Sequence, residues 1–576
     1  MSSRPNRISE VFWATWRTKA MFAACVLIGG ALLFRLHGLQ VENGPYYAAL
    51  ALGQQSGLAE VSPPRGNIFI QDKGGSGRFL VATNREMPMV YAVPKEVDDA
   101  AITLGELLDV LSIEEHVQPV LLQRLSNKQS SYALIKRELS EEEAAAVQEL
   151  DLPGVYVRNE TVRFYPGHEL AASLVGFIGY GADGTTRAGQ YGIERSFEGQ
   201  LAGTGGGASS LTSLGLEGDG SYQSGADVEL TIDYGVQFFV EERLKEAVDF
   251  LGARSGSAIF MDPRTGSIIA MADIPSFDPN TYGDTEDISI FRNSTVQGLF
   301  EPGSSFKPLT MAAAIDAGAV SPSTTYYDSG AVEVDGYTIK NFDEKARGTQ
   351  TMTQVLESSL NTGVIYAERL LGDNRFRDYI SAFNLDKPTG IELPGDQAGD
   401  FRGIAPGNAA VNIATATFGQ GISLSPLRLL TAISSLANNG TMMQPYVVKK
   451  VSGPGGEAVT EPKEIGHPIS ATTASRLTAM LVSVAENGYD KKASVPGYTV
   501  AAKTGTAQVP NPDGRGYSDQ VIHSFVGYAP AYNPKFVGII KVDNPTTIRF
   551  AADSLAPVFR DIAAFMLQYY QVPPDK

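Results

Sequence analysis

Three short polar segments in the C-terminal half of the chain place the strongest constraint on its fold. They are Ser304-Ser305-Phe306-Lys307, Ser359-Leu360-Asn361 and Lys503-Thr504-Gly505. Each pattern occurs by chance in long chains, and each alone fits a solvated helix or turn. Together they offer a hydroxyl nucleophile, amines and an amide, which can act jointly only in a fold that makes their side chains converge.

The first segment is predicted to start a buried helix. A turn-forming stretch lies at 301–303, and mainly apolar residues follow at 308–315. Ser304 would then lie near the positive end of the helix. Lys307 would share its face, because residues three positions apart are neighbours on a helix. A lysine accepts a hydroxyl proton only if its pKa is lowered, which burial and a second cation such as Lys503 would do.

The second segment is predicted to move protons and to orient a substrate. Ser359 can pass a proton between Lys307 and a leaving amine, and Asn361 offers a donor and an acceptor to a substrate amide. The backbone N–H groups of Ser304 and Thr506 are predicted to hold the oxyanion.

The third segment is predicted near the end of a buried strand that begins at about residue 498. Gly505 would let a ligand approach the backbone closely, and the strand edge could pair with a peptide substrate as an added strand. Lys503, with Thr504 or Thr506, would bind a carboxylate.

These motifs resemble the signature SxxK, SxN and KTG of the class B penicillin-binding proteins, which are monofunctional peptidoglycan D,D-transpeptidases. The resemblance extends to longer blocks: EPGSSFKP at 301–308, GIELPG at 390–395, GQGISLSPL at 419–427 and AKTGTAQ at 502–508. Three more blocks resemble the N-terminal pedestal domain of that family: SPPRGNI at 62–68, RFYPG at 163–167 and GQYGIER at 189–195. The resemblance therefore covers nearly the whole chain.

The resemblance implies acyl transfer on peptidoglycan without a metal or other cofactor. Ser304 would attack the carbonyl between the two terminal D-alanines of a donor stem peptide, and an amine of a neighbouring stem would then form the cross-link. β-Lactams would acylate the same serine. The block at 419–423 looks like the division-type, septal group, which implies a polytopic SEDS-type glycosyltransferase and other division proteins as partners.

Several alternatives remain open. An elongation-type enzyme shares the motifs, and a D,D-carboxypeptidase would use the same residues with water as the acceptor. A β-lactamase would need a carboxylate that activates water for deacylation, and the resemblance offers no such loop. A non-catalytic scaffold or β-lactam sensor is a different class, and the intact motifs count against it.

The chain departs from the family pattern at two places near the site. Leu360 stands where many relatives have Ser, Asp or Cys, but the middle side chain of this motif normally points away from the chemistry. The segment 551–557 departs from the Gly- and Ala-rich form that is common before the last helix, at one end of the cleft.

Composition excludes two other classes of function. The 576 residues carry a formal net charge of −18, whereas nucleic acid binding needs a basic face. The 5 histidines show no metal-ligand spacing, which disfavours a zinc hydrolase. The 1 cysteine, Cys25, rules out an internal disulfide.

An apolar run near the N-terminus predicts export from the cytoplasm. Residues 20–39 are predicted as a single transmembrane helix, with the Arg- and Lys-containing residues 1–19 as a cytoplasmic tail. A cleaved signal peptide is the rival prediction, although residues 35–37 make a poor cleavage site. The predicted location is the bacterial cytoplasmic (inner) membrane, with the catalytic domain on the periplasmic side.

The remaining chain is predicted to be α+β, with a mixed α/β pedestal at 40–225 and a transpeptidase domain at 226–576. The pedestal would contain a helix at about 140–150 and a Gly- and Ser-rich hinge at 203–220. The C-terminal domain is predicted as an antiparallel sheet flanked by helices. Its elements would be a strand at 227–232, a helix from about 234, a hairpin at 257–272, helices within 301–439, strands at 500–502, 524–528 and 536–542, and a last helix at 557–570.

Overall fold

The computed structural model describes residues 64–511 and 516–576 with gaps at 74, 76, 181–186 and 204–222, together with the single positions 21 and 29. Contacts divide the chain into two compact units. Among the described residues, the smaller unit contains 85–162, and the larger contains 64–84, 163–203 and 223–576.

The predicted membrane anchor at 20–39 and the predicted hinge at 203–220 lie outside the described residues, apart from positions 21, 29 and 203. Among the helices that the structure does describe, none has the length and apolar character needed to cross a bilayer.

The elements are numbered here in chain order. The strands are β1 (Ile68–Asp72), β2 (Gly77–Ala92), β3 (Ala133–Lys136), β4 (Val155–Phe164), β5 (Ile178–Tyr180), β6 (Arg187–Gly189), β7 (Asp227–Asp233), β8 (Ser255–Met261), β9 (Ile268–Ile274), β10 (Thr325–Asp328), β11 (Ala331–Val334), β12 (Tyr337–Lys340), β13 (Gly348–Thr351), β14 (Met442–Met443), β15 (Val448–Gly453), β16 (Gly456–Val459), β17 (Glu464–Gly466), β18 (Ala501–Pro510), β19 (Tyr517–Ala529) and β20 (Phe536–Asp543). The α-helices are α1 (Ala100–Val110), α2 (Gln118–Ser126), α3 (Glu141–Glu149), α4 (Ala172–Val175), α5 (Gly192–Ser196), α6 (Glu198–Leu201), α7 (Tyr234–Leu251), α8 (Ser294–Gln297), α9 (Lys307–Asp316), α10 (Met352–Glu357), α11 (Asn361–Leu371), α12 (Asp373–Ala382), α13 (Ala410–Ala416), α14 (Pro426–Ala437), α15 (Ala471–Asn487) and α16 (Ala551–Tyr569).

The smaller unit packs α1, α2 and α3 around an apolar core that includes Leu107, Leu125 and Val147. Helix α3 begins with a capping box, in which Ser140 accepts the N–H of Glu143 and donates its own N–H to the Glu143 carboxylate, both at 3.1 Å. This confirms the helix predicted near 140–150. Helices α1 and α2 were not predicted, because their Leu- and Val-rich sequences also fit short strands.

One sheet of the larger unit joins segments that are far apart in sequence. Its strands follow the order β16-β15-β7-β1-β2, in which β1 and β7 are parallel and the other pairs are antiparallel. Strands β1 and β2 therefore share a sheet with strand β7, which precedes helix α7.

The second sheet of the larger unit carries the third sequence motif. It has 5 strands in the antiparallel order β18-β19-β20-β8-β9. The predicted hairpin, β8 and β9, and the three predicted later strands are thus confirmed in one sheet. Strand β18 is terminal in this order, so one of its edges has no neighbour within the described sheet.

Both faces of this sheet are buried, because each face packs against its own apolar core. Successive side chains along a strand point to opposite faces and so enter the two cores in turn. Phe260 points into the core formed with α7 and α16, whereas Ile259 and Met261 point into the core formed with α9 and α14. The last helix was predicted at 557–570, but α16 begins at Ala551, and Pro557 lies inside it.

Candidate active site

The first motif lies on a tight turn that leads directly into a buried helix. Residues Gly303–Phe306 form a 3₁₀ turn, and α9 continues from Lys307. The hydroxyl of Ser305 donates to the carbonyl of Pro302 at 2.7 Å, and Ser305 is fully buried. Ser304 is partly exposed. The turn therefore uses Ser305 for its own structure and leaves Ser304 accessible from the cleft.

Lys307 is completely buried and reaches the second motif. Its Nζ donates to the carbonyl oxygen of Ser359 at 2.6 Å and lies 3.2 Å from the Ser359 hydroxyl. Burial, helped by the nearby charge of Lys503, holds the pKa of Lys307 well below its usual value. An amine in this state can be neutral at physiological pH and can accept a proton.

Ser359 lies in the short connection between α10 and α11 with φ of +51°, a left-handed conformation that is unusual for serine. This bend turns both its carbonyl and its hydroxyl towards Lys307. The next side chain, Leu360, is fully buried in the core, so the departure at this position lies away from the cleft. Asn361 is partly exposed and donates from Nδ2 to the carbonyl of Lys340 at 2.8 Å.

A buried carboxylate that sequence reasoning missed holds the start of α11 in place. Asp328 accepts from the Thr362 hydroxyl at 2.8 Å and from Asn341 Nδ2 at 3.0 Å. It also accepts the backbone N–H groups of Gly330 at 3.0 Å and Arg347 at 3.1 Å. Because Thr362 follows Asn361, this network fixes the second motif against the loop that follows β12.

The third motif lies on β18, which begins at Ala501. The motif is therefore near the start of the strand, and the predicted placement near its end is wrong because the strand begins later than expected and continues to Pro510. Lys503 is buried, and burial lowers its pKa, while the nearby carboxylate of Asp490 acts in the opposite direction.

The structure distinguishes the two threonines that were predicted to bind a carboxylate. Thr504 donates its hydroxyl to Asp490 at 2.8 Å and its backbone N–H to the same carboxylate at 2.9 Å. Thr506 is partly exposed, and its Oγ1 accepts the N–H of Ala551 at 3.2 Å, so the hydroxyl proton of Thr506 can still be donated to a ligand. No motif or spacing in the sequence pointed to Asp490 as a residue of the site.

The close packing of the protein itself requires glycine at position 505. The sequence had instead suggested that Gly505 lets a ligand approach the backbone closely. A Cβ added at Gly505 would lie 2.4 Å from the Ser524 hydroxyl, 2.7 Å from the Pro302 carbonyl and 3.0 Å from the Ser305 nitrogen. The nucleophile turn thus rests directly on β18. Ser304 and Thr506, whose N–H groups were predicted to hold the oxyanion, are the chain neighbours of Ser305 and Gly505, the residues that meet in this contact.

Three exposed aromatic side chains form a cluster that sequence reasoning also missed. The ring of Phe342 lies 5.5 Å from that of Tyr489 and 5.7 Å from that of Phe550, each in an edge-on arrangement. Phe342 follows Asn341 in the Asp328 network, and Phe550 precedes Ala551, which contacts Thr506. The cluster therefore joins the loop beside the second motif to the loop beside the third.

His523 lies next to the site, but its side chain has a structural role. Its Nε2 lies 3.1 Å from the carbonyl oxygen of Arg549, and its Nδ1 lies 2.8 Å from the Ser554 hydroxyl. Burial lowers its pKa to about 4, so the ring is neutral, with a proton on Nε2. His523 thereby fastens the start of α16 to β19. Within the described part of the chain, no cluster of three or more His, Cys, Asp or Glu side chains could hold a metal.

The site therefore combines a partly exposed serine with two buried lysines on a helix and an edge strand, an arrangement suited to serine acyl transfer. Residues 256–564 match the family model described as the penicillin binding protein transpeptidase domain, and residues 60–215 match the penicillin-binding protein dimerisation domain. The chain belongs to the class B penicillin-binding protein transpeptidases.

Individual relatives match over most of the chain. It is 32% identical to Stage V sporulation protein D of Bacillus subtilis, over 99% of this chain and 88% of that protein. It is 31% identical to peptidoglycan D,D-transpeptidase FtsI of Escherichia coli K12, over 100% of this chain and 95% of that protein.

Solved structures of penicillin binding protein 3 from Mycobacterium tuberculosis are also similar. The apo form has a TM-score of 0.64 and 32% identity and covers 72% of this chain and 92% of that one. The complex with aztreonam has a TM-score of 0.67 and 27% identity and covers 89% of this chain and 98% of that one.

Proposed function

We propose that this protein is a peptidoglycan D,D-transpeptidase that cross-links stem peptides through an acyl intermediate on Ser304. The observation that carries the proposal is Lys307, a fully buried amine with a strongly lowered pKa, three residues after a partly exposed serine. A neutral lysine in this position can act as the general base for its neighbouring hydroxyl.

In the acylation step, Lys307 Nζ takes the proton of the Ser304 hydroxyl while Oγ attacks the carbonyl carbon between the last two D-alanines. The oxyanion is held by the N–H groups of Ser304 and Thr506. The C–N bond then breaks, and the proton on Lys307 passes through the Ser359 hydroxyl to the leaving amine of D-alanine. The hydrogen bonds between Lys307 and Ser359 support this route.

In the second step, the amine of a neighbouring stem peptide attacks the ester carbonyl of the acyl-serine. The amine loses one proton to Lys307, a new amide bond forms, and the Ser304 oxygen leaves and regains a proton from Lys307. The serine and lysine end the cycle as they began, so no cofactor is required. A D,D-carboxypeptidase would follow the same path with water as the attacking group.

The carboxylate of the terminal D-alanine would bind to Lys503 and Thr506. Lys503 remains a candidate cation because Asp490 opposes the effect of burial on its pKa. β-Lactams carry a carboxylate and a reactive amide in a similar arrangement, and the relatives described as complexes with aztreonam and ampicillin support binding of this class.

The septal role is supported by the relative named FtsI, while an elongation-type role uses the same site. We propose a single-pass protein of the cytoplasmic membrane, anchored through residues 20–39, that acts with a SEDS-type glycosyltransferase and other division proteins. Depletion in the host should give filaments with unfinished septa. Rounded, unelongated cells would favour the elongation-type role.

The chemistry is tested by labelling the full-length protein in detergent with a fluorescent penicillin and mapping the adduct by mass spectrometry. A stable label on Ser304 that is lost in Ser304→Ala is expected, because the acyl-serine should hydrolyse slowly. Ser323→Ala, an exposed serine on the loop after α9, is the matched control and should keep the label. Rapid loss of label would indicate a β-lactamase, and no label on the folded protein would favour a scaffold or sensor.

A further inference from the structure

The peptide group that joins Pro302 to Gly303 leads directly into Ser304, and both of its polar ends are held. Its N–H donates to the carbonyl oxygen of Gly419 at 3.1 Å. Its carbonyl oxygen accepts the hydroxyl of Ser305 at 2.7 Å. A peptide group is planar, so contacts at both ends fix the orientation of its plane. They therefore set the direction in which the chain enters Ser304.

A second hydroxyl reaches the same peptide group from the sheet. Ser524 on β19 is buried, and its hydroxyl donates to Ser305 Oγ at 3.1 Å, with the Pro302 carbonyl oxygen also within reach at 3.4 Å. The two hydroxyls thus form a chain from Ser524 through Ser305 to Pro302. Hydrogen bonds in such a chain polarise and strengthen one another. No step of the mechanism described above uses Ser524.

The register of the sheet explains how Ser524 reaches the turn. Ser524 lies directly opposite Gly505 of β18, and directly opposite residues of an antiparallel pair place their side chains on the same face. A Cβ added at Gly505 would lie 2.4 Å from Ser524 Oγ. The third motif therefore has glycine where the Ser524 hydroxyl needs space, and a larger residue there would push the hydroxyl away from the turn.

The same row of the sheet contains another buried serine, Ser257 of β8, that makes no such contact. Lys541 of β20 lies between the two serines, directly opposite Ser524 on one side and Ser257 on the other. Both serines are 1% exposed. The Ser257 hydroxyl, however, has no hydrogen-bond partner among the described residues. The two serines therefore share their burial, their sheet face and a neighbour, but Ser524 alone of this pair supports the nucleophile turn.

We infer that Ser524 is a positioning residue for acyl transfer, which holds the nucleophile turn so that the Ser304 hydroxyl stays aligned with Lys307. The inference rests on the transpeptidase function proposed above and adds a residue outside the three sequence motifs. Ser524 is buried behind the turn and carries no charge, so its loss should slow acylation without changing substrate binding or the pKa of Lys307. A small displacement suffices, since about 1 Å of misplacement can cost about a hundredfold in rate.

The test measures rapid-quench labelling of the full-length protein in detergent by a fluorescent penicillin over a range of concentrations. This separates the dissociation constant of the initial complex from the rate constant of acylation, and the label at completion gives the active fraction. Ser524→Ala should reduce the rate constant about tenfold to a hundredfold and leave the dissociation constant unchanged. The active fraction should stay at the wild-type value, because Ser305 keeps its bond to Pro302 and no buried donor loses its acceptor.

Ser257→Ala is the matched control and should keep the wild-type rate constant. A double-mutant cycle with Ser305→Ala then tests the route of the effect. If Ser524 acts through Ser305 and Pro302, the rate constant of the double variant should differ from the product of the two single effects by about threefold or more, since contacting residues couple. In Ser524→Ala the acidic limb of the pH profile of acylation should keep its position, because no charge has changed.

Several outcomes would overturn the positioning role. They are a wild-type rate constant in Ser524→Ala, a lower active fraction at an unchanged rate constant, an equal loss of rate in Ser257→Ala, independent effects of Ser524 and Ser305 in the cycle, and a shifted acidic limb. Labelling of the wild type separates this inference from the proposed function. Without labelling the proposed function fails, whereas normal labelling of both the wild type and Ser524→Ala refutes the positioning role alone.

Discussion

The two walls of the cleft each carry a buried lysine, but the two lysines have different surroundings. Lys307, on the helical wall, contacts the neutral oxygens of Ser359 and lies near another cation. Lys503, on the strand wall, lies near the carboxylate of Asp490. Burial alone lowers the pKa of either lysine. The neighbouring charge therefore favours a neutral base at Lys307 and a cation at Lys503.

Removal of the base should have the largest effect. Lys307→Ala should reduce penicillin acylation by about a hundred- to ten-thousandfold, the usual contribution of a general base. Thermal melting should show that the variant folds. A folded Lys307→Ala protein that is labelled at the wild-type rate would disprove the role of Lys307.

Changes on the strand wall should shift the pH profile in a defined direction. Acylation needs neutral Lys307, so its rate rises as the pH rises through the pKa of Lys307. Lys503→Met removes a neighbouring positive charge and therefore raises the pKa of Lys307. The acidic limb of the pH profile should then move to higher pH. Donor binding needs charged Lys503, so Asp490→Asn lowers the pKa of Lys503 and moves the alkaline limb to lower pH. Profiles of kcat/KM that shift the opposite way, or not at all, would contradict the comparison.

Two substitutions at Ser359 should separate the catalytic role of its hydroxyl from the strain of its left-handed backbone. Ser359→Ala and Ser359→Gly both lack the hydroxyl and should slow acylation by about tenfold to a hundredfold, within the usual range for a proton-transfer group. Glycine removes the left-handed penalty of about 1–2 kcal/mol, so Ser359→Gly should melt at a higher temperature than Ser359→Ala. Equal melting temperatures would argue against strain at this residue.

The two threonines should give the smallest and most selective effects. Thr506→Val removes a hydrogen bond to the donor carboxylate and should raise KM by about threefold to tenfold, since such a bond is worth about 0.5–1.5 kcal/mol. Thr504→Val removes the hydroxyl that donates to the buried Asp490 carboxylate, so it should mainly lower the free energy of unfolding, by about 1–3 kcal/mol. A reversal of these outcomes would assign the carboxylate to Thr504.

The parts of the site that could be predicted are those that depend on short spacing along the chain. The turn before Ser304, the helix behind it and the shared face of Lys307 follow from neighbouring residues, as do the hairpin of β8 and β9 and the helix near residue 140. The burial of Lys307 could also be expected, because its helix is mainly apolar.

The remaining parts depend on residues that meet only in the folded chain. Asp490 and Asp328 are ordinary polar residues in sequence, and their roles arise from partners 14 and 34 residues away. The reason for Gly505 is similar, because the atoms that exclude a Cβ belong to Pro302, Ser305 and Ser524. Periodicity and turn signals report only on nearby positions, so such long-range contacts leave no local signal.

The seating of the nucleophile turn on β18 limits how the protein can escape an inhibitor. A Cβ at Gly505 would collide with the turn, and one at Gly303 would lie 3.0 Å from the Cβ of Ala507. Substitutions at these glycines would displace the serine together with the drug. Selection for β-lactam resistance should therefore act on the exposed rings of Phe342, Tyr489 and Phe550, where the rim of the cleft can change while its floor stays constant.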